Sequence, residues 1–306
     1  MKIQNNKIVR DIYWQERLKS LQHPQGKMRA VVAANQLLKN LYEDKKKPLR
    51  VIELGCGEGH ILGDLLKLCA ADDVPIEMSV GIDSQPDAIE KAEKFYPQTE
   101  FILADYVNLS VDFQPFDLVM FVGTLHEIYS SKYSTQLMEI NQIVGQEAVF
   151  EAISNNFPIF KEHGYILIFD GVDHSLPGTF ELTIRFKSKE SFNEFRKFVD
   201  EYKAFQINYY QTQQNNCVNI SVHNFTRYIT KTRFINSDLW EIEKWESYQY
   251  FKRKEFIECL EKLDFNILNL DCASPHIESW KKRVEILTPK VNFPEENILI
   301  IGQRKS

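Results

Sequence analysis

The chain contains the stretch Val51-Ile52-Glu53-Leu54-Gly55-Cys56-Gly57-Glu58-Gly59-His60, which continues into the amphipathic segment Ile61 to Leu68. Apolar strand formers followed by three alternating glycines predict a strand, a tight turn and a helix. Glycine allows a sharp turn and lets a ligand approach the backbone where a Cβ would clash. The start of the helix presents N–H groups and the positive end of the helix dipole to a polar or anionic group. The stretch therefore predicts a pocket for a nucleotide-like ligand.

The spacing of the glycines distinguishes between two classes of ligand. The dinucleotide fingerprint is G-x-G-x-x-G, but here the third glycine comes one position early and His60 takes the last place. In its acidic-x-G-x-G-x-G order the chain resembles the class I S-adenosylmethionine-dependent methyltransferases. The resemblance covers about residues 49–173 and resumes weakly from Tyr250. The alternative is a doubly wound domain that binds another nucleotide, and the early third glycine and Asp105 both count against it.

Three further segments read as strands that end at candidate site residues. They are Val80 to Ser84, Glu100 to Tyr106, and Phe116 to Val122 followed by Gly123. An acid such as Asp83 can accept hydrogen bonds from both ribose hydroxyls, a feature shared with dinucleotide enzymes. The resemblance implies that Asp105 and the backbone of Tyr106 contact adenine, and that the fourth strand end faces the methyl group. It implies S-adenosylmethionine as cofactor, S-adenosylhomocysteine as product, and a cofactor site formed by Glu53, Gly55, Cys56, Gly57, Gly59, Asp83, Ser84, Asp105, Tyr106, Gly123 and Thr124.

Short apolar strands between amphipathic helices predict a parallel sheet covered on both faces. The expected fold class is α/β, a doubly wound, mostly parallel sheet of seven strands with an N-terminal helical cap and a helical lid insertion. We expect one long helix over 134–153 and a fifth strand over 164–169. Most aromatic residues of the insertion should pack its own core, while two or three face a ligand. The expected units are a cap (1–47), a cofactor-binding core (48–173), a substrate-facing lid (174–249) and the end of the core with an antiparallel strand pair (250–306).

Methyl transfer from a sulfonium requires the protein mainly to position, desolvate and sometimes deprotonate the acceptor. His126 and Glu127 follow the fourth strand, and a histidine there can take a proton from the acceptor. The alternative is structural: His126 packs or hydrogen-bonds at a helix start, and Glu127 is an acid favoured by the helix dipole. For contacts with the acceptor we expect Tyr13, Trp14, Tyr129, Asp170, Asp173 and His174.

A metal ion is not expected. Catechol-type methyltransferases place an acid at the fourth strand end, where this chain has Gly123. They also have an asparagine after the fifth-strand acid, where Gly171 follows Asp170. The acids here are better suited to hydrogen-bonding the substrate.

Composition narrows the partners. The chain has a net charge of −6, whereas a general nucleic-acid-binding protein has a basic surface. We therefore expect no DNA partner and consider tRNA a disfavoured partner. The chain also lacks the Asn-Pro-Pro-Tyr and Pro-Cys motifs of DNA-base methyltransferases. A local basic patch leaves tRNA as an alternative; it comprises Lys252, Arg253, Lys254, Lys281, Lys282 and Arg283.

Five scattered cysteines suggest neither disulfides nor zinc. No stretch reaches the roughly 18 apolar residues of a membrane helix, so we expect a cytoplasmic protein with no membrane partner. The expected function is methyl transfer to oxygen or nitrogen of a small or medium organic molecule, such as a secondary metabolite. The alternatives are methylation of tRNA or protein, and a non-catalytic methyltransferase-like binding subunit. The oligomeric state is not readable from the sequence.

Overall fold

The computed structural model describes His23 and residues 25–109 and 113–305. At its centre lies a sheet of seven strands. Their order across the sheet is β3 (Glu100–Leu103), β2 (Ile76–Asp83), β1 (Leu49–Leu54), β4 (Phe116–Val122), β7 (Phe160–Gly171), β13 (Asn297–Arg304) and β11 (Phe265–Ala273). The first five strands are parallel, and β13 runs antiparallel to both of its neighbours. The predicted seven-stranded, mostly parallel α/β fold is confirmed.

Apolar side chains alternate between the two faces of this sheet, because successive residues of a strand point in opposite directions. In β4, Leu118 and Met120 pack on one face, whereas Val119 and Phe121 pack on the other. The first face is covered by α1 (Met28–Lys45) and α2 (His60–Ala71), and the second by α5 (Gln142–Asn155) and α9 (Arg253–Lys262). Two further helices follow strands of the core: α3 (Pro86–Phe95) and α4 (Leu125–Ser130). No helix within the described ranges has the length and apolar character needed to cross a bilayer.

The single long helix expected over 134–153 is wrong. The chain first forms a short hairpin of β5 (Tyr133–Ser134) and β6 (Glu139–Ile140), and only then enters α5. The Asn141 side chain accepts a hydrogen bond from the Val144 N–H (3.3 Å), which satisfies one of the free donors at a helix start. This cap explains why the helix begins at Gln142. The fifth core strand, in contrast, is longer than the expected 164–169.

The insertion is mixed rather than helical, so that part of the prediction is wrong. Its four-stranded antiparallel sheet has the order β12 (Val284–Thr288), β8 (Glu181–Phe186), β10 (Cys217–Ser221) and β9 (Tyr209–Gln211). Buried Leu182, Ile184 and Phe186 alternate with polar residues, which is the period of a strand with one buried face. β12, the last of these strands along the chain, comes from residues 250–306, the segment expected to complete the core. The helices here are α6 (Lys189–Glu201), α7 (Val222–Lys231), α8 (Trp240–Glu243) and α10 (Ile277–Arg283).

Aromatic rings form the core of the insertion. The ring of Tyr228 lies 5.0 Å from that of Phe195 and 5.4 Å from that of Phe198, and all three residues are fully buried. Aromatic pairs at these separations stabilise a core beyond their buried area. The insertion is therefore held together by its own packing, while its last residues reach the edge of the central sheet.

Candidate active site

The glycine-rich turn after β1 lies at the carboxyl edge of the sheet. Gly55, Gly57 and Gly59 have φ values of 78°, 55° and 76°, the left-handed region in which only glycine is unstrained. The N–H groups of Gly55 and Cys56 donate to the Ile82 carbonyl (2.8 and 2.9 Å). The turn is thus tied to β2 and leads the chain directly into α2.

Gly55 also requires the absence of a side chain. A Cβ at this position would lie 2.2 Å from Oγ1 of Thr124. We expect Gly55→Ala to lower the free energy of unfolding by about 2–4 kcal/mol, from the left-handed backbone and the overpacking together. Denaturant unfolding measures this loss.

Gly302→Ala is the control, because Gly302 lies in strand β13 without a positive φ. A Cβ at Gly302 would lie 3.0 Å from its closest neighbour, a methyl group of Ile166. An equal loss of stability in both variants would contradict the role of the turn.

Two buried or half-buried carboxylates hold this turn. Glu53 accepts a hydrogen bond from the N–H of Leu62 (3.1 Å) in the first turn of α2. Asp83 accepts from the N–H of Gly57 (2.8 Å) and from that of Gln85 (2.9 Å). A carboxylate has roughly four acceptor positions, so Asp83 can support the turn and still receive ligand hydroxyls.

The ends of β3 and β4 are joined through Tyr106. The exposed carboxylate of Asp105 accepts from the N–H of Val107 (2.9 Å) and caps a short 3₁₀ turn. The hydroxyl oxygen of buried Tyr106 lies 2.7 Å from Oγ1 of Thr124. Thr124 therefore contacts both the glycine turn and the 3₁₀ turn, which fixes the loop after β4.

The remaining residues expected at the cofactor differ in their surroundings. Cys56 is buried, and burial together with the Glu53 and Asp83 carboxylates raises the pKa of its thiol; Cys56 therefore stays a small neutral side chain. Ser84 is exposed at the end of β2. The glycine cradle and the acids at three strand ends fit an adenosine-containing ligand with hydroxyls and a polar tail.

His126 and Asp170 form a buried pair where β4 and β7 end. Nδ1 of His126 lies 2.6 Å from the Asp170 carboxylate. The same carboxylate accepts from the N–H groups of Leu125 (2.8 Å) and Gly171 (2.7 Å). An ionised carboxylate only accepts hydrogen bonds, so we assign the imidazole proton to Nδ1. This leaves Nε2 as the basic nitrogen.

The pair shifts the acidity of both members. Burial acts to lower the pKa of His126, but the neighbouring Asp170 carboxylate outweighs it and holds the pKa above the ordinary 6.5. Burial likewise acts to raise the pKa of Asp170, but the imidazole and the backbone N–H groups hold it below 3.8. Asp170 therefore stays ionised, and His126 is a stronger base than a free imidazole.

A cavity of about 350 Å³ opens beside this pair. The core contributes Gly123, His126, Asp170 and Gly171, while the residues before α1 contribute His23, Gly26 and Lys27. A Cβ on Gly123 would lie 2.7 Å from Nζ of Lys27, so this amine lies against the turn after β4. The insertion and the later chain contribute Arg233, Phe234, Glu243, Glu246, Tyr248, His276 and Glu296.

Several residues expected near the acceptor lie away from this cavity. Tyr129 is fully buried, with its ring 5.7 Å from that of Tyr250, which is the surrounding of a core residue. Glu127 is exposed on α4. Asp173 faces Nε2 of His223 (3.4 Å), and its pKa is raised to about 6 by burial. Nδ1 of His174 accepts from the N–H of Leu176 (3.0 Å). Tyr13 and Trp14 lie outside the described residues.

The sequence reasoning missed the residues that the insertion brings to the cavity. The N–H of Ser247 donates to Oγ of Ser130 (3.0 Å), 117 residues earlier in the chain. A Cβ on Gly171 would lie 2.5 Å from Cβ of Tyr248. Because Gly171 has no side chain, the insertion can pack over the end of β7. A glycine at the end of a strand can indicate that another part of the backbone approaches closely, and this was the signal available in the sequence.

Metal-binding geometry is absent among the described residues, which contain no group of three or more histidine, cysteine, aspartate or glutamate side chains suited to an ion. The Asp170 oxygens are instead directed at His126 and backbone N–H groups. These contacts hold the imidazole of His126 in one orientation.

A family model described as a methyltransferase domain matches residues 45–227, more than half of the chain. No curated protein sequence matches this chain. The solved structure of the plantazolicin methyltransferase BpumL with S-adenosylhomocysteine is similar, with a TM-score of 0.51 and 13% identity over 99% of this chain and 92% of that chain. An S-adenosylmethionine-dependent methyltransferase from Clostridium acetobutylicum has a TM-score of 0.49 and 10% identity over 98% and 100%. At 13% identity the similarity to BpumL shows the fold.

Proposed function

Because this chain belongs to the methyltransferase-domain family and is an S-adenosylmethionine-dependent enzyme, we propose that it methylates an oxygen or nitrogen atom of a small or medium organic molecule, such as a secondary metabolite. The observation that carries the proposal is the buried His126–Asp170 pair, which opens into a cavity of about 350 Å³ at the carboxyl edge of the sheet. Sites for small organic ligands have volumes of roughly this size.

The bound cofactor supplies an electrophilic methyl group on a sulfonium that is ready to leave. Asp83 and the glycine turn are proposed to bind the ribose and the methionine end, and Asp105 with the Tyr106 backbone the adenine. Gly123 and Thr124 lie beside the sulfur in this arrangement. These assignments follow the resemblance to the methyltransferase family, and each of these residues lies at or just after the carboxyl end of a strand in the central sheet.

His126 is proposed as the general base and Asp170 as its positioning residue. Asp170 holds the proton on Nδ1, which directs the lone pair of Nε2 away from the carboxylate and towards the acceptor. Taking the acceptor's proton makes its lone pair available for attack, and a positioned base accelerates such a step by about 10²–10⁴-fold. The insertion serves as a lid that excludes water from this step.

Charge pairing supports a small acceptor over tRNA. Of the six residues in the expected basic patch, Lys254, Lys281 and Arg283 are paired with Glu258, Glu278 and Glu194. The neighbouring carboxylates reduce the local positive potential that would attract a phosphate backbone. The buried His126–Asp170 pair also favours catalysis over a purely binding role, because a scaffold does not need an oriented base.

The acceptor class can be tested with pools of cellular molecules. Purified protein and S-adenosylmethionine are incubated separately with a small-molecule fraction, with total RNA and with total protein, and S-adenosylhomocysteine release is measured. The proposal predicts release with the small-molecule fraction. Release with RNA or protein alone would contradict it, and no release with any pool would favour the binding subunit.

The pH dependence of turnover should report the base. Because His126 must be neutral to accept a proton and its pKa is raised above 6.5, kcat/KM is expected to fall as the pH is lowered through that raised pKa. In Glu246→Gln the rise of kcat/KM with increasing pH should occur at lower pH. The Glu246 carboxylate lies 3.9 Å from Nε2 and stabilises the imidazolium, so its removal lowers the pKa of His126. A profile that stays flat from well below pH 6.5 into the alkaline range would rule out His126 as the base.

A further inference from the structure

Glu246 is a buried acid whose carboxyl group has no hydrogen-bond donor within the described part of the chain. The residue is 9% exposed and lines the cavity beside His126. Its Oε2 lies 3.9 Å from Nε2 of His126, beyond hydrogen-bonding distance. Within the described part of the chain, no hydrogen-bond donor contacts this carboxyl group.

The other acids of the cavity are each paired within the protein. Asp170 is bound by His126 and backbone N–H groups. Glu243 accepts from Nζ of Lys231 (2.6 Å) and from the hydroxyl of Tyr248 (2.5 Å). Glu296 lies 2.8 Å from Nδ1 of His276. Glu246 is thus the exception, and it faces the ligand space.

A buried carboxylate without a hydrogen bond is unfavourable. Burial and the neighbouring Glu243 carboxylate raise the pKa of Glu246 to about 7, although the charges of Lys231 and His126 act to lower it. A ligand that brings a cationic donor to this position would relieve the penalty, since a buried charge is tolerated when it is paired and hydrogen-bonded. The cavity therefore prefers a ligand with a positively charged N–H group near His126.

We propose that Glu246 and Nε2 of His126 together bind the amino group of the methyl acceptor, which makes the acceptor a primary or secondary amine. The proposal deepens the proposed function and rests on it. Two acceptor atoms 3.9 Å apart can each take one hydrogen from the same ammonium nitrogen at ordinary hydrogen-bond lengths. A hydroxyl group carries one hydrogen and satisfies only one of them.

The chemical step balances with these groups. Nε2 of His126 takes one proton from the ammonium group, which frees the nitrogen lone pair. The nitrogen then attacks the methyl carbon, so that the N–C bond forms while the C–S bond breaks and its electron pair stays on sulfur. The methylated nitrogen is positively charged, and the Glu246 carboxylate stabilises that charge. The proton on the imidazole leaves to solvent.

Sinefungin tests the inference without knowledge of the acceptor. In this analogue of S-adenosylmethionine, an amino group stands in the position of the transferred methyl group. By calorimetry, the unmodified protein should bind sinefungin at least about tenfold more tightly than S-adenosylhomocysteine, in keeping with one charge-assisted hydrogen bond. In Glu246→Gln the preference should fall to within about twofold of unity, since a neutral amide does not attract the cation.

Glu241→Gln is the matched control, because Glu241 is exposed in the same segment and pairs with Lys244; it should keep the preference. The affinity of each variant for S-adenosylhomocysteine verifies that its cofactor site is folded. Equal affinities of the unmodified protein for the two analogues would overturn the inference without need of a variant, and would favour a hydroxyl acceptor. A preference that survives in Glu246→Gln would also overturn it. Failure of S-adenosylhomocysteine to bind the unmodified protein would instead refute the proposed function beneath it.

Discussion

His126→Ala is expected to lower kcat by about 10²–10⁴-fold while leaving the affinity for S-adenosylhomocysteine nearly unchanged. The variant removes the only imidazole that Asp170 orients in the described structure, but it leaves the glycine turn and Asp83 intact. Single-turnover methyl transfer to the acceptor found in the small-molecule pool measures the chemical step. Added imidazole should restore part of the rate, because the deleted side chain leaves space beside the cavity.

The control for this variant is His163→Asn. His163 is exposed at the opposite end of β7, with a φ of 58° that asparagine tolerates, and its replacement should leave kcat unchanged. Asp170→Asn should lower kcat as well, because an amide does not hold the Nδ1 proton as a carboxylate does. If His126→Ala turned over at the parental rate, the histidine would be a packing residue and the base would have to be sought elsewhere.

Asp83→Ala is expected to weaken the binding of S-adenosylmethionine by at least about 100-fold, or roughly 2.7 kcal/mol. The carboxylate accepts from the N–H of Gly57 (2.8 Å), and hydrogen bonds to charged groups contribute about 1.5–3 kcal/mol each. Its loss removes both the ligand contact and a support of the turn. Calorimetric titration measures the affinity.

Glu77→Ala provides the comparison for Asp83→Ala. Glu77 lies on the same strand, is about half exposed and pairs with Arg50 at the surface, so its loss should leave the affinity unchanged. Asp83→Asn should be intermediate, since the amide oxygen still accepts from Gly57 while the charge is gone. An affinity for S-adenosylmethionine that Asp83→Ala left untouched would remove the ribose-binding role.

The positions of the residues proposed to bind the cofactor were predictable because their signals are local. Gly55 and Asp105 follow short strands and Asp83 ends one, and parallel strands bring their carboxyl ends to one edge of the sheet. The order of glycines at the first of these ends then separated the methyltransferase pattern from the dinucleotide one. Each step used residues within a few positions of one another, where sequence and geometry are closely coupled.

The part of the cavity proposed for the acceptor was less predictable because it depends on contacts between distant segments. Glu246 reaches His126 only because Ser247 is bonded to Ser130 and Tyr248 packs against Gly171. Neither contact leaves a periodic signal in the sequence. Tyr129 lies close after His126 in the sequence, yet its position on α4 directs its side chain into the core. Proximity in sequence after a strand end therefore did not indicate proximity to the cavity.

The most direct test of cofactor binding is a calorimetric titration of the unmodified protein with S-adenosylmethionine, S-adenosylhomocysteine and NAD. We expect micromolar binding of the first two and no binding of NAD, because the glycine spacing and the acids at three strand ends fit S-adenosylmethionine. Binding of NAD alone would contradict it.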